Sequence, residues 1–124
     1  MLDFEGLKKA ATARRFLDFK TSIGVARIRS LTERERSAYE MSFTGKNGKP
    51  DRDAVSKLRA RFISLCLVDA NDELIVHDHN ELVDLDSKVI AELYRACADH
   101  CGIEQDAVEE IEELEKNSGG TPAE

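Results

Sequence analysis

The chain has 124 residues, enough for one domain that buries roughly two thirds of the surface its unfolded form exposes. With 41% apolar and 35% charged residues the composition is that of a globular domain, and no apolar run approaches the roughly 20 residues of a membrane helix. The net charge of −7 conceals a division, because residues 1–61 carry 15 Lys+Arg against 8 Asp+Glu whereas residues 62–124 carry 3 against 17.

Taken in chain order, Met1 to Ala10 lacks the apolar stretch after a basic start that marks a secretory signal, so a cytoplasmic protein without membrane contact is expected. Residues 3–13, within an N-terminal segment 1–14, fit a short amphipathic helix with Phe4, Leu7 and Ala11 on one side. From Arg15 the period falls to two. Leu17 and Phe19 share a face, Ser22-Ile23-Gly24 supplies a turn, and Ala26 and Ile28 alternate against Arg27 and Arg29, which predicts a β-hairpin. The hairpin leads into Leu31-Thr32-Glu33-Arg34-Glu35, where the Thr32 hydroxyl can accept a backbone N–H three residues on and Glu35 can reach back, so a helix should start at Thr32.

That helix ends before Gly45-Lys46-Asn47-Gly48-Lys49-Pro50-Asp51, a loop that closes on a helix cap at Asp51 or Asp53. Val55, Leu58, Phe62, Leu65 and Cys66 then recur at steps of three and four, the face of a central helix whose Phe62 and Leu65 belong in the core. Asp69-Ala70-Asn71-Asp72 breaks it, and Glu73-Leu74-Ile75-Val76 is expected as a short strand. A further helix capped by Asp86 or Ser87 buries Ile90, Leu93, Tyr94, Cys97 and Cys101, and Gly102 stands where a left-handed C-terminal residue belongs. Val108, Ile111 and Leu114 form a narrow strip on a last, glutamate-rich helix, and 117–124 reads as a disordered tail. The expected fold is α+β, mostly helical, with an N-terminal β-hairpin followed by about four helices in one domain over 15–116.

Three constellations raise chemistry. His77, His79, Cys97 and Cys101 supply four nitrogen and sulfur atoms of the kind that hold zinc, with His100 beside the thiols. Structural zinc cysteines, however, sit close together on a tight knuckle, whereas Cys97 and Cys101 are a full turn apart on an apolar helical face, so buried reduced thiols are the preferred reading. His77-Asp78-His79 could be an acid/base group, but neither a nucleophile in a strained turn nor a glycine-rich loop accompanies it, and an exposed polar turn accounts for it. Asp69, Asp72, Asp78, Asp84 and Asp86 lack the spacing of a calcium loop and read as turn formers and caps. The basic residues Arg27, Arg29, Arg34, Arg36, Arg52, Lys57, Arg59 and Arg61 could meet phosphates, yet the chain is acidic overall and few aromatics interleave them, which disfavours nucleic acid. No catalytic residue, cofactor or metal site is assigned.

The hairpin exit Arg27-Ile28-Arg29-Ser30-Leu31-Thr32-Glu33-Arg34-Glu35-Arg36, the loop Asn47-Gly48-Lys49-Pro50-Asp51 and the helix Leu58-Arg59-Ala60-Arg61-Phe62-Ile63-Ser64-Leu65-Cys66-Leu67-Val68-Asp69 stand in one order. With Glu92-Leu93-Tyr94-Arg95-Ala96-Cys97 and the acidic end Val108 to Asn117, this order resembles the tail assembly chaperones of long-tailed phages and prophages, from about Arg15 to Asn117. The pattern departs from the family at Thr21-Ser22-Ile23-Gly24, where family hairpins often carry an aromatic residue followed by glycines. The resemblance implies a non-catalytic protein that binds the tape measure protein, keeps its apolar stretches from aggregating and helps deliver it to the tail tube protein. It also implies a short form, corresponding to this chain, beside a frameshifted longer one. The charge division adds the expectation of a homo-oligomer packed head to tail. Two alternatives from other classes stay open: a small acidic regulator such as an antitoxin, and a zinc-binding protein using His77, His79, Cys97 and Cys101.

Overall fold

The protein's structure, a computed structural model, describes residues 1–42, 53 and 57–103. The expected strip Val108, Ile111 and Leu114, the tail 117–124, the loop 45–51 and Val55 lie outside the described residues. The rest is α+β as expected. Helix α1 (Phe4–Ala11) is followed by strands β1 (Phe16–Thr21) and β2 (Gly24–Arg29), then α2 (Glu33–Met41), α3 (Leu58–Cys66), strand β3 (Leu67–Val68), one 3-10 turn (His79–Leu82) and α4 (Ser87–His100).

The hairpin forms where the period of two placed it, with Thr21 paired to Gly24 across a two-residue turn of Ser22 and Ile23. Gly24 takes φ 137°, a region that side chains avoid, so glycine is required here. The turn has its own support. Thr21 donates its hydroxyl to the Gly24 carbonyl at 2.6 Å, and Ser22 donates its N–H and hydroxyl to the Glu92 carboxylate on α4 at 3.1 and 2.9 Å. Ile28 is fully buried and Ala26 half-buried on the core face, whereas Leu17, expected beside Phe19, is left exposed and only Phe19 packs against the core.

Thr32 and Glu35 make the reciprocal cap that opens α2, with bonds of 3.2 and 2.9 Å. The helix cap foreseen at Asp51 or Asp53 lies in a stretch outside the described residues, apart from Asp53, which is itself helical. Helix α3 follows Lys57, whose side chain makes no capping bond, and Asp53 pairs with the Lys57 ammonium at 3.4 Å. A correction concerns β-structure. The chain passes from α3 into β3 without a loop, and Leu67 and Val68 pair antiparallel with Ile28 and Arg27 to complete a sheet of order β1-β2-β3. The segment Glu73 to Val76 contributes only a single bridge, Leu74 to Val68, not a strand. Between them Asp69 accepts the N–H groups of Asn71 and Glu73, and Asp72 adopts φ 66°.

Helix α3 is buried on more than one side. Leu58, Ala60, Phe62, Ile63 and Cys66 are all buried and Leu65, expected in the core, is only half-buried. The Phe62 ring lies 4.9 Å from Tyr39 of α2 and 5.7 Å edge-on from Tyr94 of α4, so three helices meet on one aromatic side chain. Asp86 caps α4 by accepting from the N–H groups of Lys88 and Val89, and Ile90, Leu93, Tyr94 and Cys97 are buried as the spacing required. At its end Gly102 takes φ 77° while its N–H bonds Asp99 and that of Ile103 bonds Ala98. This is the two-bond closure of a glycine-terminated helix, and the buried Ile103 supplies its apolar contact.

Candidate functional site

The residues foreseen for zinc are not brought together. His79 opens the 3-10 turn near Lys57 and Arg61, toward the first turn of α3. Burial first, and then the Arg61 guanidinium, hold its imidazole below the usual histidine range. Cys97 and Cys101 pack at the other end of α3, beside Cys66. His100 is engaged elsewhere, its Nε2 donating to the Arg15 carbonyl at 2.9 Å while Arg15 donates to the His100 carbonyl. His77 is exposed, and Asp78 caps the turn by accepting the Asn80 N–H at 3.0 Å. Among the described residues no group of three or more His, Cys, Asp or Glu is arranged to hold a metal ion.

What the sequence spacing did not reveal is that Cys66 joins the other two thiols, with its Sγ 3.8 Å from that of Cys101. The three are free cysteines. The Cys101 thiol also reaches the Arg29 carbonyl at 3.9 Å. Contact with Cys66, then burial, pushes the Cys101 thiol far up; the bond from Cys101 draws Cys66 down, but the contact with Cys97 and burial outweigh it and push Cys66 up as well. Thiols held protonated are poor nucleophiles and poor metal ligands. Purified protein should therefore carry no stoichiometric zinc, and Cys66 and Cys101 should react with an aromatic disulfide reagent only after unfolding. One equivalent of zinc, lost on Cys97→Ser and Cys101→Ser substitution, would restore the metal reading.

The basic cluster is largely committed inside the fold. Arg27 bonds Asp18 at 2.9 Å and Asp72 at 2.6 Å, Arg36 pairs with Glu40, Arg29 donates to the Leu65 carbonyl, and the Arg59 guanidinium stands 6.0 Å over the Tyr94 ring. Arg27–Asp72 joins the basic and acidic halves of the chain. Arg14–Glu35, Arg36–Glu40 and Lys57–Asp53 instead join basic residues to acids of their own half.

Among the described residues apolar surface is left open at a groove beside the hairpin and at α1, and also at Val83 and Leu85 after the 3-10 turn. A groove of about 620 Å³ runs beside the closed end of the hairpin, where Ile23 and Val25 are 72% and 73% exposed and Ile75 is 49% exposed. Leu67 and Val68 line its floor, and Asp18, Asp69 and Arg27 rim it. Helix α1 buries none of its residues and leaves Phe4 68% and Leu7 46% exposed. The spacing in the sequence indicated the α1 strip. The groove was hidden because its walls come from β1, β2, β3 and the stretch around Ile75, distant in sequence. No described helix is long and apolar enough to cross a membrane. Compared with known proteins, the chain matches no family model, and neither a curated protein nor a solved structure is found to be similar to it.

Proposed function

We propose that the protein is a phage or prophage tail assembly chaperone, a non-catalytic holder that binds the tape measure protein in the host cytoplasm and passes it to the tail tube protein. The observation that carries this reading is the open apolar groove of Ile23, Val25 and Ile75 with its charged rim. A groove of this kind accepts the apolar face of a helical client and keeps it from self-aggregating. The order of sequence elements from Arg15 to Asn117 supports the same reading. So does the use made of the side chains first considered for chemistry: Asp78 and Asp86 cap helical turns, His100 locks α4 to Arg15, and Cys66 and Cys101 are raised, contacting thiols.

The test is co-expression with the tape measure protein encoded in the same genome. The tape measure protein should stay in the soluble fraction and co-purify only when this chain is present, and Val25→Asp should weaken that capture. A client equally soluble with and without the chain would refute the reading. So would a toxin gene beside this one in place of a major tail protein gene upstream and a very long open frame downstream.

A further inference from the structure

The sheet order makes β1 an edge strand, with β2 on one side and no described strand on the other. A bare edge presents unpaired N–H and C=O groups, which folded proteins cover with a helix, a loop or charge. Beside this edge runs a second groove, of about 570 Å³, between Phe19, Lys20 and Ser22 on one side and Lys88, Ala91 and Arg95 of α4 on the other. Its apolar part is low and small: Ala91 and Ala96 are half-buried, and Phe19 and Ala96 pack against the core beneath. Lys20, Lys88 and Arg95 are exposed along it. Of the two acids in its lining, Glu92 already accepts the Ser22 N–H and hydroxyl, and Asp99 stands in the last turn of α4.

The sequence past Ile103 matches that groove. Val108, Ile111 and Leu114 recur at steps of three among Glu109, Glu110, Glu112, Glu113 and Glu115, the pattern of a narrow apolar strip flanked by carboxylates. Ile103 is buried, its N–H bonded to the Ala98 carbonyl, which fixes where the segment starts at the end of α4. Residues 104–107 can span about 13 Å, more than the roughly 8–10 Å between packed helix axes. The chain can therefore turn back along α4, whose stretch 88–99 is about 16 Å long against about 9 Å for a helical 108–114. Charge selects this face. At the hairpin groove Asp18 and Asp69 would repel the glutamates, and Arg27 there is already paired with Asp18 and Asp72.

We propose that residues 108–115 of the same chain lie in the groove between β1 and α4, antiparallel to α4, with Val108 toward Ala96, Leu114 toward Ala91 and the glutamates facing Lys20, Lys88 and Arg95. So placed, the segment covers the open edge of β1 and leaves the groove of Ile23, Val25 and Ile75 free. Its direction follows from α4, which passes Ser22 of the hairpin turn at Glu92 and reaches Arg15 at His100. A segment returning along α4 thus heads toward the closed end of the hairpin. The inference stands on charge, length and the strand edge, and it holds whatever the client is.

Disulfide trapping in the full chain tests it. Ala91→Cys combined with Leu114→Cys should link on mild oxidation with diamide, giving a faster-moving monomer band on a non-reducing gel and the joined 91–114 peptide pair in mass spectrometry. Lys88→Cys, at an exposed position, serves in place of Ala91→Cys if that variant unfolds. Two matched pairs, Val25→Cys with Leu114→Cys at the hairpin groove and Leu7→Cys with Leu114→Cys on α1, should link several-fold more slowly. Lys20→Glu and Lys88→Glu added to the first pair should slow its linkage several-fold, and so should about 1 M salt, which screens charges beyond about 3 Å. Failure of the first pair to link, a link found only between chains, equal rates in all three pairs, or a rate indifferent to charge reversal would each overturn the proposal. Capture of the tape measure protein is read separately, in the co-expression test.

Discussion

Replacing Phe62 with alanine should destabilise the protein by roughly 3–5 kcal/mol, the range found for emptying a fully buried aromatic site. Phe62 is 0% exposed and its ring touches Tyr39 and Tyr94, so the substitution removes the group on which α2, α3 and α4 converge. Little can collapse into the space. Both neighbouring rings are held, Tyr94 fully buried and Tyr39 bonded through its hydroxyl to the Leu58 carbonyl at 3.4 Å. For a domain of about 100 residues each kcal/mol moves the melting temperature by roughly 4–8 °C, so a fall of at least 12 °C or so is expected in a thermal melt. A shift within error would mean that the aromatic cluster does not hold the helices together. Leu65→Ala, at a half-buried position on the same helix, should cost distinctly less.

That contrast also marks how far the sequence could be read. Features written over four or five residues were legible: the reciprocal cap of Thr32 and Glu35, the glycine closure at Gly102 and the caps at Asp78 and Asp86. Each is a local contest between backbone conformations, decided by side chains close by in the chain. Periodicity was less sufficient for α3, because a period of 3.6 identifies one buried face and this helix buries Ile63 and Ala60 as well. Strand β3 was missed for a related reason. Leu67 and Val68 continue the apolar run of α3, and only pairing with Ile28 and Arg27, some forty residues earlier, turns them into a strand.

The candidate site was legible in part, and the missing part was again long-range. The α1 strip could be read because a helix face is a local property. The groove could not, since Ile23 and Ile75 meet only through the sheet, and the Cys66–Cys101 contact joins residues 35 apart. The charge division was visible in the sequence but its resolution was not. A basic first half suggested attraction to the acidic second half, whereas Arg14, Arg36 and Lys57 take partners from the few acids of their own half.

Glu35 is where these short-range and long-range effects coincide, and it sets the second large expected result. Its carboxylate caps α2 through the Thr32 N–H, takes both arms of the Arg14 fork and has the Arg29 guanidinium at 3.6 Å. Arg14 in turn donates to the Ser30 carbonyl at 3.0 Å, so the N-terminal linker, the hairpin exit and α2 are joined at one point. The Arg14 bonds, outweighing the cost of burial, and then the Thr32 N–H hold the Glu35 carboxyl down at about 2 against an ordinary 4.5. A carboxyl depressed on folding stabilises the native state wherever the unfolded chain is already ionised, and the benefit disappears as protons bind the folded form. The contribution should therefore be complete above pH 4.5 and drain away as pH falls toward 2. Glu35→Gln keeps the shape and removes the charge, and it should cost roughly 1.5–3 kcal/mol at neutral pH, the scale of hydrogen bonds to charged groups. Urea unfolding midpoints of wild type and variant, measured from pH 7 to pH 2.5, should lie well apart at the top of that range and draw together at the bottom. A gap of constant size across the series would show that the ionised Arg14–Glu35 knot is not what holds the linker to α2.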